Sequence, residues 1–170
     1  MNKKELKQTY IEAQFFESAF EKSIEWAITQ IENGTDDMNI NILAGLEPNN
    51  YFEIKEYIEN ILDEELTVSK EDLEEWAGQY IIELKKLFID QVIDIWKLDE
   101  KISRLYYKLD YPNWMVMLAR NCEYATDVEP FEKPFEDELE YITELWTKYP
   151  EYSDFIENYK REISNTHDYK

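Results

Sequence analysis

Carboxylates dominate the residues of this sequence that could do chemistry, and they are densest in one short stretch. Residues 129–146 read EPFEKPFEDELEYITELW and hold seven carboxylates and one lysine. Glu136, Glu140 and Glu144 recur every four residues, which predicts that they share one face of a helix. Carboxylates in this pattern could ligate a metal, act as catalytic acids and bases, imitate a phosphate backbone, bind a basic protein or form a solvated surface.

The other residues of the sequence give little indication of a metal-binding site. A di-iron helical bundle needs Glu-x-x-His pairs on two helices, whereas the one histidine, His167, lies three residues from the end of the sequence. TDDMNIN at 35–41 matches a calcium loop only in composition, because the glycine required at the sixth position is absent. We therefore expect no metal and no other cofactor, with an all-carboxylate magnesium site left open.

Nucleophilic and phosphate-binding motifs are also missing. Cys122 lies in an apolar helical run, where a cysteine usually packs as a small core residue. The three glycines are isolated, so no glycine-rich phosphate loop is present. We expect no enzyme, and we keep a carboxylate-dependent enzyme as an alternative because a hydrolase can work with two suitably spaced acids.

Length and charge restrict the class of protein. The 170 residues, 44% of them hydrophobic, suit one folded domain covering 1–170. A net charge of −21 repels nucleic acids and anionic membranes, so we expect neither as a direct partner. No apolar run approaches the ~20 residues of a membrane span, and no secretion signal is recognisable. With one cysteine and no possible internal disulfide, a cytoplasmic location is expected; the oligomeric state stays open.

Two segments carry most of the negative charge. Residues 53–75 have a balance of −8, and residues 123–157 have a balance of −10. If these segments lie side by side, they form one strongly negative face suited to a basic protein. The residues that we predict for this face are Glu132, Glu136, Glu140, Tyr141 and Glu144, together with Glu56, Glu59, Asp63 and Glu64. A merely solvated surface is the competing interpretation.

Helical spacing prevails along the chain, and no stretch alternates as a strand would. The pattern predicts an all-α fold, a single globular bundle of six to eight helices. A break is expected near 90–97, because an unbroken 39-residue helix is unusual in a small domain. The predicted helices cover 3–33 up to Gly34, 40–46, 51–65 with Asn50 as cap, 70–108 with the break, 113–125, 135–148 and 152–163.

Aromatic residues on helical stripes are expected in the core. Trp26, Trp76, Trp96 and Trp146 fall on such stripes, while Trp114 could be buried or exposed. In the acidic stretch, Phe135, Leu139, Ile142 and Trp146 repeat at spacings of four, three and four. These four residues are predicted to face the core, on a different face from the glutamates.

Two segments resemble a group of small helical bacterial proteins. They are NINILAGLEPNNYFEIKEYIENIL at 39–62 and MLARNCEYATD at 117–127. Some proteins of this kind are candidate immunity proteins encoded beside toxin genes. The resemblance implies a cytosolic bacterial protein without enzymatic activity, and it carries over no site residues.

These observations lead to one functional hypothesis and two alternatives. The hypothesis is an acidic protein-binding module, in its most specific form an immunity protein that occludes the basic cleft of a nuclease-type toxin. The alternatives are a DNA mimic that inhibits a nucleic-acid-binding protein and the carboxylate-dependent enzyme.

Overall fold

The computed structural model of the chain describes residues 3–16 and 19–167. These residues form nine α-helices and two short 3₁₀ helices, with no strand among them. The all-α class is therefore confirmed, and the helix count exceeds the predicted six to eight by one. The chain divides into two compact units, Met1–Ser69 and Lys70–Lys170. The assignment of one domain to residues 1–170 stays a prediction.

The first unit holds four helices around its own core. They are α1 (Lys3–Phe15), α2 (Ala19–Glu32), α3 (Met38–Ala44) and α4 (Tyr51–Leu62). Helix α2 packs on α1 and α3, and α4 packs on α1 and α3. The core contains fully buried apolar side chains from all four helices, among them Leu6, Ala27, Ile40, Leu43, Ile54 and Ile58.

The single helix predicted over 3–33 is wrong, because α1 ends at Phe15 and α2 begins at Ala19. Both helices turn an apolar side inward, and they pack against each other. Their contact includes the buried hydroxyls of Thr9 and Ser23, whose oxygens are 2.7 Å apart. Residues 16–18 contain no glycine or proline that would have marked this break in the sequence.

Some helix ends of this unit lie where the local sequence predicts them, and others do not. Gly34 has a φ of 85°, and the Thr35 amide donates to the Gln30 carbonyl at 3.0 Å, which is the expected glycine-terminated helix end. Asn50 is the N-cap residue of α4, as predicted, although its side chain makes no cap hydrogen bond. Helix α4 ends at Leu62 and not near residue 65, because Asp63 adopts a left-handed conformation with a φ of 58°.

The second unit holds five helices and both 3₁₀ helices. They are α5 (Lys70–Ile89), α6 (Ile95–Lys108), Asn113–Met115, α7 (Val116–Asp127), Glu129–Phe131, α8 (Glu132–Lys148) and α9 (Tyr152–His167). Helix α7 packs on α6 and α8, while α5 packs on α6, α8 and α9. Pro134 lies in the first turn of α8, where proline is tolerated because the N–H groups of that turn have no partner within the helix.

The break predicted near 90–97 is confirmed by the interval between α5 and α6. It changes the phase of the helical pattern, so Leu98, Ile102 and Leu105 of α6 face the core. Trp96 is consequently 59% exposed, and its prediction as a core residue is wrong. None of the described helices combines the length and the apolar character needed to cross a membrane.

Aromatic rings fill the centre of this unit. Trp146 stacks on Phe155 with ring centroids 3.7 Å apart, and Trp114 meets both rings edge-on. Trp114 and Trp146 are buried, whereas Trp76 is only half-buried. Gly78 of α5 lets the Trp146 ring approach, because a Cβ at this position would lie 2.3 Å from the Trp146 Cδ2 atom.

Candidate protein-docking surface

Helix α8 presents the predicted row of glutamates to solvent. Its apolar residues Phe135, Leu139, Ile142 and Trp146 are buried, as their spacing predicted. Residues four apart are neighbours on a helix surface, so the exposed glutamates beside the buried face form a continuous row. This glutamate row consists of Glu132, Glu136, Glu140 and Glu144.

The glutamate row is unevenly neutralised along its length. The Lys85 Nζ of α5 lies 2.5 Å from the Glu140 Oε2 and also donates to the Thr143 hydroxyl at 3.1 Å. The hydrogen bond from Lys85 holds the pKa of the Glu140 carboxyl below its usual range. Within the part of the chain that the structure describes, Glu132 and Glu136 form no ion pair. Glu132 and Glu136 at the N-terminal end of the row are therefore not neutralised by an ion pair among the described residues, and the same holds for Glu144 at the C-terminal end.

A hollow of about 480 Å³ lies beside this N-terminal end. Its apolar lining includes Phe88 and Ile89 from the end of α5, Ile93 from the connection to α6, and Phe135 from α8. Three carboxyl residues line the same hollow, namely Asp94, Glu132 and Glu136. No lysine or arginine is among its described lining residues, so the hollow combines an apolar interior with a negative rim.

Asp94 was not predicted as part of the acidic face. Its carboxylate accepts a hydrogen bond at 2.8 Å from the Lys97 backbone N–H and caps α6. The only local signal was an aspartate in the predicted break, which indicates a helix cap and gives no information on neighbours from α8. The structure brings Asp94 to the hollow because the connection between α5 and α6 passes beside the start of α8.

Two further hollows follow the groove between α5 and α8, and their charge is mixed. One of about 270 Å³ is lined by Lys85 and Lys133 as well as by Glu136, Asp137 and Glu140. The other, of about 310 Å³, has Lys85, Lys86 and Lys148 beside Glu144. The hollow of about 480 Å³ is therefore the one of the three that has no lysine among its described lining residues.

Tyr141 does not lie on the glutamate row. Its ring packs near that of Tyr159 in α9, with centroids 6.5 Å apart. Burial, followed by the neighbouring Glu162 carboxylate, raises the pKa of the Tyr141 phenol. The structure thus places Tyr141 at the contact between α8 and α9. It does not lie with the glutamate row, although we predicted it for the same acidic face.

The four acidic residues predicted in the first unit differ in their environments. Glu56 is exposed on α4. The Glu59 carboxylate accepts a hydrogen bond from the Leu66 N–H at 2.9 Å and lies 3.2 Å from the Lys55 Nζ. Asp63 ends α4, and Glu64 lies 3.2 Å from the Lys7 Nζ. Glu59 and Glu64 therefore already have partners within this unit, and whether these acids bind a partner protein stays a prediction.

A buried carboxyl group, Glu74, was missed at the sequence level. Glu74 is 2% exposed, and its Oε2 accepts a hydrogen bond from the Trp114 Nε1 at 2.6 Å. Burial raises the pKa of this carboxyl. Glu74 also borders a hollow of about 330 Å³ that is lined by Lys70, Tyr152 and Lys160. In a run of acidic residues, nothing local distinguishes the one glutamate that tertiary packing encloses.

The other residues considered for chemistry have ordinary surroundings. Cys122 is buried in α7, and burial raises the pKa of its thiol, which disfavours the reactive thiolate. The side chain of His167 lies outside the described residues. Among the described residues, no group of three or more His, Cys, Asp or Glu side chains is arranged to hold a metal ion.

Comparisons with known proteins return no relative: no family model, no curated protein and no solved structure matches this chain. The resemblance to immunity-type proteins therefore rests on the two sequence segments alone.

Proposed function

We propose that the chain is an acidic protein-binding module whose partner is a basic protein. One observation carries the proposal: Glu132 and Glu136 are exposed, lack an ion pair among the described residues, and border an apolar hollow. An apolar centre with a charged rim is the usual anatomy of a protein interface. Unneutralised carboxylates at that rim favour a cationic partner.

The most specific form of the proposal is an immunity protein that acts in the cytoplasm on a nuclease-type toxin. Nucleases use basic clefts to hold phosphates, and a chain with a net charge of −21 is steered toward such a cleft. Steered association can reach ~10⁸–10⁹ M⁻¹s⁻¹, which would allow capture before the toxin cuts nucleic acid. Inhibition would be steric and electrostatic and would need no catalytic residue.

A DNA mimic is less well supported by the same surface. Such a mimic needs exposed negative charges along a ridge, in place of the phosphates. Here Lys85 pairs with Glu140, and Lys133 pairs with Asp137, so the ridge is interrupted by cations. The apolar hollow also has no counterpart in a nucleic-acid backbone.

The enzyme alternative has one supporting observation, which is Glu74. A buried carboxyl with a raised pKa beside a hollow is a common feature of catalytic acids. The hydrogen bond from Trp114 gives it an equally good structural role. A reaction that disappears in Glu74→Gln while folding and partner binding persist would favour the enzyme.

The test uses a nuclease domain encoded beside this chain's gene, with association followed by stopped-flow fluorescence. The double variant Glu132→Gln/Glu136→Gln should lower the association rate severalfold and flatten its salt dependence. The matched control is Glu151→Gln/Glu157→Gln, which removes two exposed charges from the region of α9. Equal effects of the two variants would argue against a docking surface on α8. A gene neighbourhood without any toxin would argue against the immunity form.

A further inference from the structure

The connection between α5 and α6 exposes an unusual amount of apolar surface. Ile89 is 64% exposed, Val92 is 67% exposed and Trp96 is 59% exposed. These three residues lie within eight positions of one another in the sequence. Of the three, Ile89 lines the hollow of about 480 Å³, whereas Val92 and Trp96 are not among its lining residues.

The wall of the hollow is held by backbone hydrogen bonds. The Val92 N–H donates to the Leu87 carbonyl at 2.8 Å, and the Gln91 N–H donates to the Phe88 carbonyl at 3.0 Å. Gln91 has a left-handed φ of 56°, which turns the chain sharply after α5. The bond from Lys97 fixes the Asp94 carboxylate at the other end of the connection. The hollow is therefore preorganised, which reduces the entropy lost on binding.

The lining determines what kind of group fits. Its interior is formed by Phe88, Ile93 and Phe135, and its volume falls within the range of about 300–1,000 Å³ that is usual for ligand pockets. A large apolar side chain would remove this surface from water. The carboxylates of Glu132 and Glu136 at the rim then require cationic groups beside that side chain.

The negative charge at the rim of the hollow also distinguishes between the molecules that could occupy it. A second copy of the chain would bring another −21 charges to the same rim, and an anionic lipid surface would be repelled as well. A segment with lysine or arginine on both sides of one large apolar residue meets both requirements. This combination of an apolar hollow and an unneutralised acidic rim identifies the occupant by its chemistry.

We propose that this hollow is an anchor site for a large apolar side chain carried by a lysine- or arginine-flanked segment of the partner protein. The inference rests on the proposed function and deepens it, because the acidic rim attracts the segment and the hollow holds it. Anchor residues in pockets carry much of the binding energy of protein interfaces. The apolar contact should therefore govern dissociation, whereas the carboxylates should govern association.

The experiment uses the full chain and two synthetic peptides of equal charge, each with three lysines on either side of a central leucine or serine. Affinities are measured by NMR titration. The leucine peptide should bind at least about tenfold more tightly than the serine peptide, since burying a leucine side chain favours binding by that factor or more. Ile89→Ser should abolish most of this preference and leave the affinity for the serine peptide unchanged.

Val92→Ser is the matched control, because Val92 is as exposed as Ile89 but does not line the hollow. This control should keep the preference for leucine. Glu132→Gln/Glu136→Gln should lower the affinity for both peptides by the same factor, so the ratio of the two affinities should not change.

The possible results separate the two proposals. Equal binding of the two peptides, with both weakened by Glu132→Gln/Glu136→Gln, would overturn the anchor site while supporting an acidic docking surface. A preference for leucine that persists in Ile89→Ser would also overturn the anchor site. No effect of Glu132→Gln/Glu136→Gln beyond that of Glu151→Gln/Glu157→Gln would contradict the proposed function itself.

Discussion

The Trp114 indole donates a hydrogen bond of 2.6 Å to the buried Glu74 carboxylate, across 40 positions of sequence. Trp114 follows the Pro112 turn, and Glu74 lies on α5. The contact thus ties the start of the α7 region to α5. It also gives the buried indole N–H of Trp114 an acceptor, which this group needs because it is a donor only.

Glu74→Gln should stabilise the protein at neutral pH. Glutamine can still accept the bond from Trp114, and it lacks the carboxylate that burial disfavours. Because the pKa of Glu74 is raised in the folded state, the wild type loses stability relative to this variant as the pH rises from 4.5 through the raised folded-state pKa. Urea unfolding at pH 4 and pH 7 measures the difference.

Glu74→Leu is the companion variant. It leaves the buried Trp114 N–H without its acceptor, so we expect a loss of about 1–3 kcal/mol. A Glu74→Leu variant as stable as Glu74→Gln would show that the hydrogen bond has no structural importance.

Gly78→Ala should destabilise the second unit, although alanine is the better helix former. The gain in helix propensity is about 1 kcal/mol, but overpacking costs about 1–3 kcal/mol. A Cβ 2.3 Å from the Trp146 ring must displace a ring that stacks closely on Phe155. Because the clash is with a closely packed ring, we take the upper end of the overpacking cost and expect a net loss of about 2 kcal/mol in chemical denaturation.

Gly45→Ala is a control for the glycine change. A Cβ at Gly45 would meet the Ile42 carbonyl oxygen at an ordinary 3.5 Å. We expect a change within about 0.5 kcal/mol. Similar losses in the two alanine variants would contradict the role given to the contact with Trp146.

Glu59→Gln should weaken the first unit more than Glu56→Gln does. Glu59 accepts from the Leu66 N–H and pairs with Lys55, whereas Glu56 is exposed on the same helix. The expected loss is at most about 1 kcal/mol, because the Glu59 carboxylate is partly exposed and solvent screens it.

The pH dependence of the Glu59 variant follows from the same contacts. The bond from Leu66, followed by that from Lys55, lowers the pKa of the Glu59 carboxyl below its ordinary value of 4.5. Its contribution is therefore present above pH 4.5 and is lost as the pH falls through the lower folded-state pKa. Urea unfolding from pH 7 to pH 3 should show that the free energies of unfolding of the wild type and of Glu59→Gln become equal at the acid end of the range. A constant difference would contradict this assignment.

Sodium chloride should stabilise the fold at constant pH. Folding brings charges that sum to −21 closer together, and salt screens them over about 8 Å at physiological ionic strength. A gain of about 1 kcal/mol would raise Tm by about 2–4 °C. Thermal melts in NaCl, MgCl₂ and CaCl₂ at equal ionic strength provide the measurement. A saturable excess effect of one divalent ion would contradict the expectation that no metal binds.

Local sequence patterns were sufficient to predict the acidic helix α8 and several helix ends. The row from Glu132 to Glu144 and the buried side of α8 follow from a repeat of 3.6 residues, which the backbone imposes wherever a helix forms. Gly34 ends α2 for an equally local reason, because glycine adopts a positive φ without strain.

Tertiary structure alone decided which of these acids could act together. The sequence by itself determined the all-α class, the side of α8 that faces solvent and the break after α5. It could not place Asp94 beside Glu136, pair Lys85 with Glu140, or enclose Glu74 against Trp114. Those neighbours belong to different elements, and their approach depends on how whole helices pack. One-dimensional periodicity specifies the face that a helix buries, but it does not specify the helix that covers it.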